Sequence, residues 1–202
     1  VKEDDSSVPQ KDGDYIYWST FETGGQYRKH YRKPVAGGAD QLILDENELA
    51  KGKEYFRLGA AEVSPDGKLL AYAYDDNGSE RFDLHFRDLA TGAELKDVVP
   101  GTLSSIVWSS DSAGVVYGLA NENWRTDNAY YHRLGDDPKN AKLLYKEADI
   151  GFGVGVGITA QEDWIVIATG DNVTSEIRLV PAKDPTAGPI LIAPRKIGRQ
   201  YS

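Results

Sequence analysis

The sequence contains no cysteine and no methionine among its 202 residues. Without cysteine there is no disulfide framework, no thiolate nucleophile and no cysteine-based zinc site. This composition fits the cytoplasm and the periplasm equally, and we expect a cytoplasmic protein. No apolar run approaches the ~20 residues that a membrane helix needs, so no membrane partner is expected.

The sequence does not begin with methionine, and its first residues do not resemble a signal peptide. It opens on the charged stretch Val1-Lys2-Glu3-Asp4-Asp5, which has none of the apolar character of a secretory leader. We expect a chain processed or cut from something longer. Acidic residues outnumber basic ones by 32 to 23, and the net charge of −9 argues against nucleic acid as a partner because the phosphate backbone is itself anionic.

Internal repetition is the strongest pattern in the sequence. Ser64 recurs as Ser109 about 45 residues later, and Leu70 recurs as Val115 and then as Ile165, so the period is about 40–50 residues. Each copy has the same order of four short strands, which is typical of propeller blades, whereas a sandwich need not repeat strand order at fixed spacing. The sequence therefore predicts an all-β partial β-propeller. Its four-stranded antiparallel blades are expected at about four places, approximately residues 6–50, 55–100, 103–148 and 152–195.

Two local expectations complete this fold. The innermost strand of the first blade is weakly marked and is placed around Ser7-Val8. A short helix is expected only between blades, over Glu46 to Lys53. Both expectations, the strand and the helix, rest on the pattern of residues in these stretches.

Catalytic and metal-binding patterns are missing from the chain. No Gly-x-Ser-x-Gly elbow of an α/β-hydrolase occurs, so the chain alone is not expected to be an enzyme. His30, His85 and His132 all fall on third strands of successive predicted blades. Adjacent sheets pack ~10 Å apart, and zinc–nitrogen bonds are ~2 Å, so these histidines cannot share one ion. We expect no metal and no cofactor.

Glycine alternates strictly along residues 151–157, Gly-Phe-Gly-Val-Gly-Val-Gly. No helix follows, so this is not a nucleotide-binding loop. An extended strand with one bare face permits close approach of another backbone. We interpret it as an innermost strand, with a widened or flexible stretch of the central channel as the functional alternative.

Polar side chains cluster between the second and third strands of three blades, around Glu80, Arg125 and Glu176. Equivalent loops of successive blades emerge on one face of the disc. Two interpretations stay open: ordinary solvated loops, and a docking surface for a second domain.

Several stretches resemble the oligopeptidase B branch of the prolyl oligopeptidase family of serine peptidases. The matching stretches are Lys2-Glu3-Asp4-Asp5-Ser6-Ser7-Val8-Pro9, Leu44-Asp45-Glu46-Asn47-Glu48-Leu49-Ala50, Leu58-Gly59-Ala60, Val63-Ser64-Pro65-Asp66, Arg87-Asp88-Leu89-Ala90-Thr91-Gly92, Val107-Trp108, His132-Arg133-Leu134-Gly135, Thr174-Ser175-Glu176-Ile177-Arg178, Ala193-Pro194-Arg195 and Tyr201-Ser202. Together they cover nearly the whole chain.

The resemblance implies a serine endopeptidase that cleaves short peptides after Lys or Arg. In that family a seven-bladed propeller caps an α/β-hydrolase domain and excludes folded proteins. This chain would hold roughly the first half of the propeller, without the remaining blades and the catalytic domain. Its implied partners are that catalytic domain, in the same parent chain, and oligopeptide substrates.

The resemblance also implies charge pairs that latch the two domains and break when the enzyme opens. By its position in the second-blade loop, Glu80 is the best candidate for a latch carboxylate, with Arg81, Arg125 and Glu176 as alternatives. A different class of function also fits the sequence: a self-contained four-bladed module that binds proteins or peptides. A half-propeller would expose apolar blade edges and self-associate, whereas a closed module would stay monomeric.

Overall fold

The computed structural model describes residues 5–201, so the acidic stretch at residues 1–4 and the final Ser202, both part of the family resemblance, lie outside the described residues. The chain divides into two compact units. The first comprises Val1–Leu58 with Asp76–Gly78, and the second comprises Gly59–Asp75 with Ser79–Ser202. Among residues 5–201, no helix has the length and apolar character needed to cross a membrane.

The first unit is one four-stranded antiparallel sheet with a short helix. Its elements are β1 (Gln10–Asp12), β2 (Tyr15–Phe21), β3 (Arg28–Pro34), β4 (Gln41–Asp45) and α1 (Glu46–Ala50), with the strands in the order β1-β2-β3-β4. The helix begins where predicted and is shorter than predicted. Its N-cap is Asp45, whose carboxylate accepts the N–H of Asn47, which satisfies one of the free donors of the first turn.

The innermost strand of this sheet differs from the prediction. It lies at Gln10–Asp12, while Ser6 makes only an isolated bridge to Thr20. The predicted Val8 is 81% exposed and precedes Pro9, which has no N–H to donate to a ladder. The continuous strand therefore begins after the proline. Before it, the Ser7 N–H donates to the Ser19 carbonyl and the Asp5 carbonyl accepts the Phe21 N–H, each at 2.8 Å, so the predicted stretch still bonds to β2.

The second unit contains two antiparallel sheets. Their strands are β5 (Arg57–Val63, begun in the first unit), β6 (Leu69–Asp75), β7 (Phe82–Asp88), β8 (Glu94–Trp108), β9 (Gly114–Leu119), β10 (Asn128–Arg133), β11 (Lys142–Lys146), β12 (Gly153–Ile158), β13 (Trp164–Gly170), β14 (Ser175–Pro181) and β15 (Ile190–Ala193), with short 3₁₀ turns at Pro138–Asn140 and Pro185–Ala187. One sheet has the order β11-β10-β9-β8-β7-β6-β5 and the other β12-β13-β14-β15. The predicted all-β class and partial β-propeller fold are confirmed.

The long strand β8 serves two blades. Its first half pairs with β7 and its second half with β9, although the sequence predicts two separate strands there. Thr102 occupies the crossover, paired with both Phe82 and Leu119, and its buried hydroxyl donates to the Phe82 carbonyl at 2.8 Å. Gly101, at a φ of +72°, provides the local bend, so the chain passes from one blade to the next while remaining in the ladder.

Two apolar cores fill the second unit. One contains Phe86, Trp108 and Tyr117, and the other contains Val116, Ile165 and further residues on the strands from β8 to β14. Each large side chain buried in this way contributes about 1.5–3 kcal/mol. The cores thus hold neighbouring blades face to face.

The predicted repeat is visible in its turns. The Ser64 hydroxyl donates to the Asp66 carboxylate at 2.7 Å, and Ser109 does the same to Asp111 at 2.6 Å. In the third copy Thr159 takes the place of the serine and accepts the Trp164 N–H at 3.3 Å. Equivalent sequence positions therefore form equivalent turns.

Candidate functional site

The loop between β6 and β7 is organised by a buried carboxylate. Asp75 is 1% exposed and accepts the backbone N–H groups of Ser79 at 3.3 Å and Glu80 at 2.7 Å. These bonds close a tight loop in which Glu80 has a φ of +57°, a region that non-glycine residues seldom adopt. The Glu80 side chain is consequently held out in solvent.

The loop between β9 and β10 is organised by Asn121. Its side-chain oxygen accepts the backbone N–H groups of Asn123 at 2.9 Å and Arg125 at 3.1 Å. The backbone N–H of Asn121 donates to the Arg125 carbonyl at 2.8 Å. Trp124, at the tip, has a φ of +59° and is 56% exposed. A large aromatic side chain is thus presented to solvent on a rigid turn.

Two arginines connect these loops to their neighbours. The Arg81 guanidinium lies 4.7 Å from the Trp124 ring centre and donates to the Asn121 carbonyl at 3.4 Å. The Arg125 guanidinium donates to the Ile150 carbonyl at 2.7 Å. Both side chains remain exposed, so each is partly tethered and still accessible.

The loop between β13 and β14 is the third of these loops between second and third strands. The Asp171 carboxylate accepts the N–H groups of Val173 and Thr174 at 2.9 and 2.7 Å, and these backbone bonds lower the pKa of Asp171. The segment after β15 lies along this loop, since Gly198 donates to the Thr174 hydroxyl and Ser175 donates to the Arg199 carbonyl.

These loops and the segments between blades lie at the same end of the sheets and carry exposed apolar side chains. Loops between second and third strands share an end with the connections from one blade to the next, because strand direction alternates within each antiparallel blade. We call the following set the loop surface: Glu80, Arg81, Trp124, Arg125, Ile150, Val173 and Ile197.

A cleft of about 430 Å³ opens within this surface. Its polar lining includes Arg125, Thr126, Asp171 and Asn172, and its remaining lining is Gly151, Gly153, Val154 and Gly170.

A network of charged groups lies beside the loop surface. The Arg195 guanidinium contacts the carboxylate of Glu147 at 2.5 Å and that of Glu176 at 3.8 Å, and Glu176 also pairs with Arg178. Burial by itself would raise the pKa of Glu147, but the Asp149 N–H, the Arg195 guanidinium and the Tyr145 hydroxyl lower it below the usual range. Glu147 is therefore ionised at neutral pH.

The four residues predicted to contact a second domain lie in two different environments. Glu80, Arg81 and Arg125 are exposed on the loop surface, whereas Glu176 lies within β14, is 8% exposed and is paired inside the chain. Their interdomain role stays a prediction. Sequence reasoning missed Glu147 as a partner of Arg195 because the two are 48 positions apart and no local pattern joins them.

The three histidines have separate surroundings. In the first unit His30 lies 2.6 Å from the Glu46 carboxylate. In the second, His85 stacks on Tyr74, and the fully buried His132 lies 2.9 Å from Asp97. Within residues 5–201 no group of three or more His, Cys, Asp or Glu side chains is arranged to hold a metal ion.

Comparison with known proteins agrees with this architecture over the full length. The family described as "Prolyl oligopeptidase, N-terminal beta-propeller domain" matches residues 1–202. The chain belongs to this family. The propeller domain is 34% identical to dipeptidyl aminopeptidase BI of Pseudoxanthomonas mexicana and 27% identical to protease 2 of Moraxella lacunata, in each case over 100% of this chain and 30% of the relative.

Solved structures of similar fold include two oligopeptidases B. That of Leishmania major superposes with a TM-score of 0.93 at 25% identity, covering 100% of this chain and 29% of the other. That of Trypanosoma brucei, in a closed form with covalently bound antipain, superposes with a TM-score of 0.89 at 26% identity, covering 98% and 28%. The propeller domain thus spans about 30% of the length of the curated relatives it matches first.

Proposed function

We propose that this chain is the non-catalytic propeller portion of a serine oligopeptidase. In this proposal it docks on an α/β-hydrolase domain of the same polypeptide and admits only short peptides to the enclosed active site. The observation that carries the proposal is the loop surface, an exposed apolar and charged row on a chain that belongs to the propeller family of these peptidases.

The exposed apolar side chains support a docking role. Trp124 is 56% exposed, Ile150 86% and Ile197 97%, and all are at one end of the sheets. Contiguous apolar groups surrounded by charges are characteristic of interaction surfaces. The turn that carries Trp124 is already closed by hydrogen bonds, so little ordering would accompany its burial.

The charges of the same surface support a reversible contact. Glu80 has no ion-pair partner among residues 5–201, and its carboxylate is free to pair with a cation of a second domain. An exposed ion pair contributes about 0.2–1 kcal/mol, enough to bias an equilibrium between open and closed states without locking it.

The test is peptide cleavage by the whole polypeptide that carries this chain. Two single variants, Glu80→Gln and Trp124→Ala, are each expected to change kcat/KM by up to roughly fivefold, which corresponds to ~1 kcal/mol. The matched control is Glu122→Gln, which removes an exposed carboxylate from the turn that carries Trp124. If both variants and the control cleave peptides of every length at the wild-type rate, the docking role of the loop surface is wrong.

Substrate preference is part of the proposal. We propose cleavage of short peptides after Lys or Arg, the preference that the sequence resemblance to the oligopeptidase B branch implies. The structural similarity to two oligopeptidases B supports that branch. The name of the dipeptidyl aminopeptidase relative favours a second candidate, release of dipeptides from a free amino terminus. Fluorogenic substrates ending in Arg, with and without an amino-terminal blocking group, separate the two, because only an endopeptidase should accept the blocked form.

A further inference from the structure

Among residues 5–201, no other strand covers one edge of β12. It is the first strand of its sheet, and in this part of the chain it pairs with β13 alone. The Val154 N–H donates to the Thr126 carbonyl at 2.8 Å, so the backbone groups of Val154 point away from β13. In an antiparallel pair this direction alternates from residue to residue, so the N–H and C=O of Val156 and Ile158 also point to the open edge.

These backbone groups are available for pairing. Outside their own sheet, the residues that the structure describes give no hydrogen-bond partner to the Val156 and Ile158 backbones. Ile158 is 42% exposed, which places this end of the edge in solvent. A Cβ built on Gly155 or Gly157 would meet no atom within 4 Å, so the adjoining face has room for the side chains of an added strand.

The cleft of the loop surface lies at the other end of the same strand. Gly153 and Val154 belong both to its lining and to β12, and Arg125 stands at its border. One guanidinium N–H of Arg125 is used by the Ile150 carbonyl, and a guanidinium has five in all. The remaining donors suit a carboxylate, which arginine binds in bidentate fashion.

We propose that the open edge of β12 adds an extended oligopeptide as an antiparallel strand, with the peptide's C-terminal carboxylate on Arg125 in the cleft. Antiparallel addition is the direction that brings a C-terminus to the Gly153 end. Because the Val154 N–H already donates to the Thr126 carbonyl, the hydrogen bonds to the added peptide extend over Gly155 to Ile158. The last peptide residue then passes into the cleft. A rise of ~3.3 Å per residue then calls for about five residues.

Recognition of this kind reads the peptide backbone. In strand addition, main-chain hydrogen bonds supply the affinity and pockets for alternate side chains supply the specificity. A Cβ at Gly155 or Gly157 would meet no atom within 4 Å, so no such pocket lies there and side chains should add little selectivity. The site would thus hold peptides of many sequences on the propeller itself. The inference rests on the proposed peptide-handling role, but it concerns binding by this chain without any catalytic step.

The experiment titrates the 202-residue chain with N-acetyl-pentaalanine as the free acid, followed by calorimetry and by backbone amide chemical shifts. We expect saturable binding with the largest shifts at Val156 and Ile158. The C-terminal amide should bind roughly tenfold more weakly, a difference of about 1.4 kcal/mol, and a peptide N-methylated at alternate residues should not bind. Arg125→Gln should abolish the difference between acid and amide, whereas Arg133→Gln, at an exposed arginine on β10, should preserve it.

Four outcomes overturn the proposal or a part of it. Equal binding of acid and amide rejects the carboxylate contact, and equal binding of the N-methylated peptide rejects strand addition. Amide shifts at Val156 that follow chain concentration without peptide show that a second copy covers the edge. If the whole polypeptide cleaves peptides but this chain does not bind them, strand addition is wrong and the peptidase role stands. If this chain binds peptides but the whole polypeptide does not cleave them, the peptidase role is wrong and strand addition stands.

Discussion

The Arg195 guanidinium lies 2.5 Å from the Glu147 carboxylate and joins the segment after β15 to the end of β11. It also stacks on the Phe152 ring at 3.9 Å, and the Arg195 backbone N–H donates to Glu176 at 3.3 Å. One side chain therefore links two neighbouring sheets of the second unit beside the loop surface.

Arg195→Ala is expected to lower the free energy of unfolding by about 2 kcal/mol, because it leaves the Glu147 carboxylate, 5% exposed, without its cation. For a chain of this size that corresponds to a fall in Tm of roughly 4–8 °C, measured by calorimetry. Arg133→Ala, at an arginine without an ion-pair partner among residues 5–201, serves as the control. Equal Tm values for the two variants would show that the Arg195 network adds no stability.

Glu147→Gln tests the charge of the same pair through pH. The folded-state pKa of Glu147 is lowered from its usual value, so its charge contributes stability above the unfolded-state pKa, and that contribution is lost as pH falls through the folded-state pKa. Wild type should exceed Glu147→Gln in urea resistance at pH 7, and the two should converge in acid. A difference that stays constant down to pH 3 would contradict the ionised pair. Glu122→Gln, which removes an exposed carboxylate, is the control and should match wild type in urea resistance at pH 7.

Gly114→Ala and Gly155→Ala form a matched pair of strand substitutions. A Cβ at Gly114 would lie 2.2 Å from the His132 carbonyl oxygen, so we expect a loss of about 3 kcal/mol from forced backbone movement. A Cβ at Gly155 meets nothing within 4 Å, and that variant should stay within about 0.5 kcal/mol of wild type. Denaturant unfolding of both variants measures the contrast, and similar losses would mean that the two strands are packed differently from the structure.

Self-association through β15 is expected at high protein concentration. Ile190, Leu191 and Ile192 are each about half exposed, at 51%, 48% and 55%. They lie on a strand that, within the described part of the chain, pairs with β14 alone. Uncovered apolar edge strands favour pairing with another chain, and an added lysine opposes it. Sedimentation should detect dimers that Ile192→Lys reduces and that Ile150→Lys, at an exposed residue outside any strand, does not. A chain that is monomeric at every concentration would favour the self-contained module instead.

The repeat was readable from the sequence because it is written in local chemistry. Ser64 and Ser109 each bond an aspartate two residues later, a continuous apolar run marks β6, and apolar alternation marks β7. The joined strand β8 was missed, since Pro100 and Gly101 look like a break, yet they bend the chain without interrupting its pairing. The inner strand of the first sheet was misplaced because its residues, Gln10–Asp12, are exposed and carry no apolar pattern.

Sequence by itself determined the all-β class, the blade period, the glycine-alternating strand and the family, all of which depend on residues close together in the chain. Only the tertiary structure decided that Glu176 is buried while Glu80 is exposed, that Arg195 meets Glu147, and that the cleft lies at the end of β12. Those relationships depend on which strands pair and how sheets pack. Contacts between residues far apart in the chain leave no periodic mark in a single sequence.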